Sequence, residues 1–368
     1  MNRTLFFTQI FLLFSGNAII AQSYKSINVV TTPVPFLRVS PDARAGGMGD
    51  AGIATSADAN SIFWNMGKTV FAKSNSSVSI NYNPWLRDIA PNIYMGVISG
   101  YKKLGDGQAI AASVRYFSLG DVQFTDFNGN YLQKYKPREF SIDLGYAKKL
   151  SDKIGFGITA RYINSALASG SDGADVYKTG SSVAADISLF YDGLNIRGAG
   201  LSWGICASNL GSKIGYVDNA DAKEFIPANL GAGIAYTSVI DEDNKITFAL
   251  DANKLLVPEL EYTGDANQDL INLSKYRQYN VAESWLAKNH SYNASVGAEY
   301  GFKNLFYLRG GYFYEDKTQG DRKYVTAGIG IKYSVITLNF SYLIPSGEAT
   351  TRNPLSNTLR FGLLFTKN

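Results

Sequence analysis

The sequence predicts an all-β transmembrane fold: a 14-stranded antiparallel outer-membrane β-barrel with an N-terminal plug. Three observations predict it. Apolar residues recur with period two over most of the chain, the connections between these segments alternate in length, and one face of the segments carries a balanced set of charged residues. Period two is the spacing that places alternate side chains on opposite faces of a strand.

The N-terminus has the composition of a secretory signal peptide. Arg3 precedes an apolar run from Leu5 to Phe14, and small and apolar residues ending in Ala21 follow it. A helix that anchors a chain in the membrane needs about 18 apolar residues or more, whereas this run has 10. We therefore expect residues 1–21 to be a signal peptide that takes no part in the fold.

The composition excludes several classes of protein. Lys and Arg number 35 against 31 Asp and Glu, so nothing suggests a nucleic acid or another polyanion as partner. The one cysteine, Cys206, cannot form an internal disulfide, and with the one histidine, His290, it cannot form a zinc site of the usual type. Beyond residue 21 no run reaches 18 apolar residues. The chain is therefore either soluble or crosses a membrane as strands.

The alternation of polar and apolar residues begins near Ser77 and continues to the C-terminus. In Glu139–Tyr146, with the sequence EFSIDLGY, Phe, Ile, Leu and Tyr share one face and Glu, Ser, Asp and Gly share the other. Most such segments are close to the 9–11 residues with which a tilted strand crosses the hydrocarbon core. The predicted strands are residues 77–83, 92–103, 108–118, 138–149, 154–165, 181–192, 199–208, 228–237, 244–252, 291–300, 305–315, 323–333, 335–343 and 357–366.

The predicted connections alternate between short and long. Short turns such as 104–107 and 150–153 alternate with long segments such as 119–137, 209–227 and 253–290. Alternate connections of an up-and-down barrel lie at opposite rims, and outer-membrane barrels have short periplasmic turns and long extracellular loops. A soluble β-sandwich, which is the alternative, has no reason to separate its loops by length in this way.

The inward faces of the predicted strands carry a balanced set of five basic and five acidic residues. A charge on the lipid face at the bilayer midplane costs roughly 2–4 kcal/mol, so we expect these charges to line the lumen. Tyrosines near the predicted strand ends, such as Tyr101, Tyr146 and Tyr236, suit an aromatic girdle at the membrane interface. The expected lumen charges include Arg115, Glu139, Asp143, Arg161, Asp186 and Arg309.

Residues 22–76 break the alternation and are rich in Gly, Ala, Asp and Ser. Small residues permit close packing in a confined space, so we expect this segment to plug the lumen of the barrel formed by residues 77–368. The expected plug residues include Gly47, Gly49, Asp50, Gly52, Trp64 and Asn65.

This N-terminal block resembles that of the FadL-like outer-membrane proteins, and within them most closely the PorV family of the type IX secretion system. One departure is Asn65-Met66-Gly67, where a FadL-like fatty-acid transporter typically has Asn-Pro-Ala. The resemblance extends through the fourteen-strand layout to the end of the chain. It rests on Val39–Arg44, on the small-residue run ending in Asp50-Ala51-Gly52, on Ala59–Asn65 with its Trp64-Asn65 pair and, for PorV, on Pro33–Gly52 and Asn81–Leu86.

The PorV resemblance implies a non-enzymatic outer-membrane adaptor. Such a protein would bind the C-terminal signal domains of secreted cargo proteins and pass them from the type IX translocon protein to the surface-attachment protease complex, with its outer wall in contact with outer-membrane lipid. The FadL-like resemblance leaves an alternative, a channel for uptake of hydrophobic small molecules. A purely structural porin is less favoured because a plug leaves little room for an aqueous channel.

Two motifs match patterns of nucleotide binding or catalysis, and neither has the context that its chemistry needs. Gly47–Gly52 fits GxGxxG, but no buried strand precedes it and no acidic residue of a βαβ unit follows. Gly200–Gly204 fits the GxSxG elbow, but Ser202 lies within a predicted strand and His290 lies at the end of the longest loop. We therefore expect no catalytic residue, no metal and no cofactor.

The long loops are the remaining candidates for a binding surface. The 253–290 segment is unusually apolar for an exposed loop, and exposed apolar patches mark interaction sites. The alternative is that these residues pack on each other and cap the barrel mouth, and both can hold together. The expected partner-binding residues are Trp85, Leu86, Leu255, Leu256, Val257, Tyr276, Tyr279 and Trp285.

Overall fold

A computed structural model describes residues 30–85, 92–105, 107–125, 128, 130–167, 170–171, 176–217, 223–287, 289–346 and 358–367. The expected signal peptide, residues 1–21, lies outside these ranges. None of the helices within them has the length and apolar composition that a membrane-spanning helix needs.

Fourteen of the described strands close into one antiparallel barrel, and two short hairpins lie in its loops. In chain order the strands are β1 (Ser76–Pro84), β2 (Ile93–Lys103), β3 (Gln108–Leu119), β4 (Val122–Thr125), β5 (Tyr131–Tyr135), β6 (Arg138–Lys149), β7 (Ile154–Ala166), β8 (Gly170–Ser171), β9 (Val176–Tyr177), β10 (Gly180–Leu194), β11 (Gly200–Gly211), β12 (Asn229–Val239), β13 (Asn244–Leu255), β14 (Tyr292–Phe302), β15 (Phe306–Glu315), β16 (Lys323–Tyr333), β17 (Ile336–Pro345) and β18 (Leu359–Lys367). The hairpins are β4–β5 and β8–β9, and β1 closes the barrel against β18.

The predicted fold is confirmed, because all fourteen predicted strands are present and each differs by at most three residues at either end. Cross-strand register explains why the two faces stay separate around the wall. Ile142 pairs with Val114 on one side and Tyr162 on the other, and all three side chains face outward. Their neighbour Asp143 pairs with Ser113 and Arg161, and these face the lumen. An open edge in lipid would leave backbone groups unpaired, which closure avoids.

The connections also separate as predicted, with short turns at one rim and long loops at the other. The longest loop carries two helices, Ala266–Gln278 and Val281–Leu286. Asp265 caps the first by accepting a hydrogen bond from the Gln268 N–H at 2.8 Å, and Asn280 forms a capping box with Glu283 at the second. This asymmetry assigns the short-turn rim to the periplasm and the loops to the cell exterior.

Residues 30–75, called here the luminal segment, run from the loop rim to the start of β1 at the short-turn rim. At the outer end, the Val30 N–H donates to the Thr318 carbonyl at 2.7 Å. Its helical turns are Pro35–Arg38, Ala43–Gly46, Ser61–Phe63 and Met66–Phe71. Tyr101 also faces this segment: its side chain is 6% exposed and its hydroxyl lies 2.8 Å from the Ser74 Oγ. Placing Tyr101 in the girdle was therefore wrong, because it shares the inward face of β2 with Ser99.

Candidate functional site

The luminal segment contacts the barrel wall with its backbone, and glycines make this possible. Gly49 has a φ of +67°, and a Cβ there would lie 2.6 Å from the backbone nitrogen of Tyr312. A Cβ at Gly52 would enter the Trp64 ring. The wall offers glycines in return, which include Gly145, Gly157, Gly204, Gly297, Gly311 and Gly328. Small residues on both surfaces therefore allow a contact that larger side chains would prevent.

Arg44 anchors the luminal segment to strand β14 of the wall. Its Nε and Nη2 donate to the two carboxylate oxygens of Glu299, each at 2.9 Å, and its Nη1 lies 3.0 Å from Asp58. Arg309 donates to the same Glu299 at 2.7 Å. A buried carboxylate between two guanidinium groups is strongly destabilised when one partner is removed. Sequence reasoning missed Arg44, although an arginine within a run of Ala and Gly is a signal of a buried ion pair.

Asp50 forms a second anchor, to the wall near the closing strands. Its carboxylate accepts a hydrogen bond from the Tyr324 hydroxyl at 2.6 Å and forms an ion pair with Arg360. The Arg360 side chain is 1% exposed and that of Asp50 is 10% exposed. Asp50 also has a φ of 64°, a conformation that Asp and Asn tolerate better than most residues.

Further hydrogen bonds follow along the segment. The Asp251 carboxylate accepts from the N–H groups of Gly52 and Ile53 at 2.7 and 2.9 Å. The Asn65 side chain donates to the Leu189 carbonyl at 2.9 Å, and the Gly67 N–H donates to Ser188 at 3.1 Å. The Trp64 indole donates to Asp42 at 3.3 Å, within the segment itself. Together with the Asp50–Arg360 ion pair, these contacts reach strands on opposite sides of the barrel, β18 and β10, so the lumen is filled at its middle.

The structure places all six expected lumen charges inside the barrel and buries them. Arg161 lies between Asp143 and Asp186, with its Nη2 at 2.9 Å from the latter. Arg115 is 3.6 Å from Asp143, and Arg309 pairs with Glu299 as described above. Glu139 differs, since it accepts a hydrogen bond from Ser165 at 2.7 Å while its second oxygen has no partner among the described residues. Most of these charges thus compensate each other.

A recess that is partly open to solvent remains between the luminal segment and the outer half of the wall. Its lining mixes polar residues with apolar ones such as Leu37, Phe63 and Phe313. The arginines on its surface are Arg38, Arg115, Arg322 and Arg360, and the asparagines are Asn209, Asn229, Asn253 and Asn293. Burial and the neighbouring Arg322 lower the pKa of Arg38 to about 10, although Glu315 lies between them. Pockets that bind apolar small molecules are lined by few polar groups. This recess, with four arginines and four asparagines, differs from such a pocket.

The outer loops form an apolar cap above the recess. Phe225 and Tyr276 meet edge to face at 5.4 Å, and Leu255 and Val257 pack with them and Val30. Burial, together with the Glu224 carboxylate, raises the pKa of the Tyr276 hydroxyl above its ordinary value. Three of the expected partner-binding residues, Leu255, Val257 and Tyr276, therefore lie inside the cap. Leu256 and Trp285 are half-buried.

Other apolar side chains of the same loop face solvent. Tyr279, one of the expected partner-binding residues, is 39% exposed. Larger exposed fractions occur at Leu270 (66%) and Leu286 (90%), on the two loop helices. In the first loop, Trp85 is half-buried against Phe117, with ring centroids 5.1 Å apart, whereas Leu86 lies outside the described residues. An apolar loop sequence does not tell which of its residues form the cap and which remain exposed.

The motifs with possible chemistry serve as structural contacts. Gly47 and Gly52 pack against the wall and Trp64, and Ser202 is buried on the inward face of β11. His290 lies 3.6 Å from Glu259. Within the described ranges, no three side chains of His, Cys, Asp or Glu are grouped to hold a metal ion.

A closed fourteen-stranded barrel whose lumen contains its own N-terminal segment is the FadL-like barrel fold. Solved structures share this fold: the toluene transporter TbuX of Ralstonia pickettii has a TM-score of 0.55 at 12% identity, covering 90% of this chain and 98% of that one. The toluene transporter TodX of Pseudomonas putida has a TM-score of 0.51 at 12% identity, covering 87% and 94%. At such identities the likeness shows the fold alone.

The family is shown by the sequence. Residues 22–261 match the model of the type IX secretion system protein PorV, so the chain belongs to the PorV family and lies in the outer membrane. The predicted resemblance is confirmed. No curated protein sequence matches the chain.

Proposed function

We propose that this protein is a non-enzymatic adaptor of type IX secretion, which binds the C-terminal signal domains of secreted cargo proteins with its extracellular loops. It passes them from the translocon protein to the surface-attachment protease complex. The luminal segment serves as a plug that keeps the barrel closed during this transfer. Membership of the PorV family supports the pathway, and the exposed apolar side chains of the loop helices support the binding surface.

Those side chains carry the proposal because the folded loop leaves them uncovered. Leu270 and Leu286 lie on helices fixed by side-chain caps, above a packed apolar cluster. Apolar groups held on a rigid support lose little conformational entropy on binding, which favours affinity. The buried residues Leu255, Val257 and Tyr276 then act as the support and do not touch the partner.

A second candidate is a channel for hydrophobic small molecules, which the names of the structural neighbours TbuX and TodX favour. The contents of the lumen argue against a channel for hydrophobic small molecules. Arg44, Asp50 and Asp251 hold the luminal segment across the barrel, and the lining of the recess above it includes four arginines and four asparagines. An apolar molecule on this path would displace water from charged and amide groups without replacing their hydrogen bonds.

Two experiments separate these functions. Deleting the gene should stop cargo with a C-terminal signal domain from reaching the cell surface, and unchanged arrival would refute the adaptor. Purification of the full chain should yield stoichiometric secreted protein or translocon. Bound fatty acid or hydrocarbon in the lumen, with no protein partner, would instead support the channel.

The binding surface is tested by Leu270→Asp combined with Leu286→Asp. We expect cargo binding to weaken about tenfold or more, because central apolar contacts dominate the affinity of protein interfaces. The matched control is Ile196→Asp, which changes an exposed side chain in a turn at the opposite rim. Equal cargo binding by both variants would refute the assignment of this surface.

A further inference from the structure

The outward face of the periplasmic rim is not uniform around the barrel. Three strands that run toward this rim end there without an outward-facing lysine and carry Tyr236, Phe302 or Tyr333 on the outward face, which are 53%, 38% and 81% exposed. Three others end in an exposed lysine that faces outward: Lys102 in β2, Lys148 in β6 and Lys367 in β18. These three residues are called here the lysine arc.

The lysine arc is contiguous because its strands lie side by side in the barrel order β18–β1–β2–β3–β6. Ser76 of β1 pairs with Lys367 on one side and with Lys102 on the other. Neighbouring strands are about 4.8 Å apart, so the Cα atoms of Lys102 and Lys367 are about 10 Å apart. Lys148 lies two strands beyond Lys102, at the same penultimate position of its strand.

The arc lies at the edge of the lipid-facing surface. Tyr146 and Phe365, each two residues from an arc lysine toward the bilayer, are 37% and 41% exposed on the outward face. Two strand residues span about 6.6 Å, and lysine extends its ammonium group from apolar surface toward water. The three ammonium groups therefore reach the level of the phospholipid headgroups in the periplasmic leaflet.

The positive charges of the lysine arc are not neutralised by the described part of the protein. None of the three lysines forms a salt bridge with a described carboxylate, and exposed Lys153 lies in the turn that follows β6. The described acidic residues closest to Lys153 are Asp152, beside it in the chain, and Asp192, whose N–H donates to the Lys153 carbonyl at 2.7 Å. Asp241, Glu242 and Asp243 belong to the distant turn between β12 and β13.

We propose that the lysine arc binds anionic phospholipid headgroups and holds a patch of anionic lipid against β18, β2 and β6. A lysine near a membrane surface contributes about a fivefold preference for anionic lipid, so three lysines contribute on the order of 100-fold at low salt. An acidic periplasmic protein is disfavoured as occupant because the three side chains face the bilayer side of the wall. This inference rests on the barrel and its orientation, not on the proposed adaptor function.

The test uses the full chain in nanodiscs of phosphatidylethanolamine with a minor share of phosphatidylglycerol. Native mass spectrometry after release counts the phosphatidylglycerol that stays bound. We expect K102Q/K148Q/K367Q to retain at least tenfold less of it than the wild type, and the loss to be reproduced by high salt. The matched control is K134Q/K223Q/K275Q, which removes three exposed lysines from the extracellular loops.

A triple substitution of the arc by arginine should restore retention, and the heat-modifiable band on a gel shows that each variant is folded. Equal retention by the wild type and the glutamine variant would overturn the proposal. An equal loss in the loop control would overturn it as well. Binding of an acidic soluble protein to the arc, without preference for phosphatidylglycerol, would assign the surface to a protein instead.

Discussion

The substitution Asp50→Ala tests whether the luminal segment is held by its ion pairs. It leaves the Arg360 guanidinium, which is 1% exposed, without the carboxylate that neutralises it. Breaking a buried ion pair by removing one partner costs about 3–5 kcal/mol. The Tyr324 hydroxyl also loses a hydrogen bond of 2.6 Å to a charged acceptor, worth about 1.5–3 kcal/mol. Alanine at a φ of 64° adds about 1 kcal/mol.

These contributions share one site and do not simply add. We therefore expect the free energy that holds residues 43–53 against the barrel wall to fall by about 5 kcal/mol. That loss corresponds to amide hydrogen exchange that is faster on the order of 10³-fold to 10⁴-fold in this stretch. The barrel strands should keep their protection, since their backbone hydrogen bonds are made with each other. Hydrogen–deuterium exchange with peptide-level mass spectrometry in detergent measures both effects in one experiment.

Two further variants separate the effect of the Asp50 charge from the effect of its side-chain shape. Asp50→Asn keeps the backbone conformation and an acceptor for Tyr324, so it should lose less than the alanine variant does. Combining it with Arg360→Met removes the unpaired guanidinium charge. The double variant should therefore regain much of the protection against amide hydrogen exchange. Wild-type exchange rates in Asp50→Ala, or a double variant no better protected than Asp50→Asn, would refute the reasoning.

Two predictions follow from the wall and the segment. Gly49→Val places a side chain where the backbone of Tyr312 lies, so amide hydrogen exchange in the luminal segment should rise at least tenfold. The control for backbone strain alone is Gly264→Val, at a position with a φ of +85° and open space around it. Leu144→Arg puts a charge on the lipid face and should lower the free energy of unfolding in vesicles by about 2–4 kcal/mol, whereas Leu286→Arg in the loop should change it by less than about 0.5 kcal/mol. Urea titration measures the second pair, and equal stabilities would contradict a lipid-facing Leu144.

The sequence by itself determined the strands and their two faces. Alternation is a local property, visible between neighbours such as Ile142 and Asp143, and it predicted each of the fourteen barrel strands to within three residues, although not the two hairpins in the loops. The energetic cost of a charge in lipid then assigned the charged face to the lumen. Loop lengths, which are also local, gave the orientation of the barrel.

Only the tertiary structure decided which residues meet across the lumen. Asp50 and Arg360 are 310 positions apart, and Arg44 and Glu299 are 255 apart. Their pairing depends on the closure of the wall and on the path of the luminal segment, which no periodicity encodes. The same holds for the loop, where Tyr276 is buried and Leu286 is exposed. Hydrophobicity is a property of one side chain, whereas burial depends on what the rest of the chain places around it.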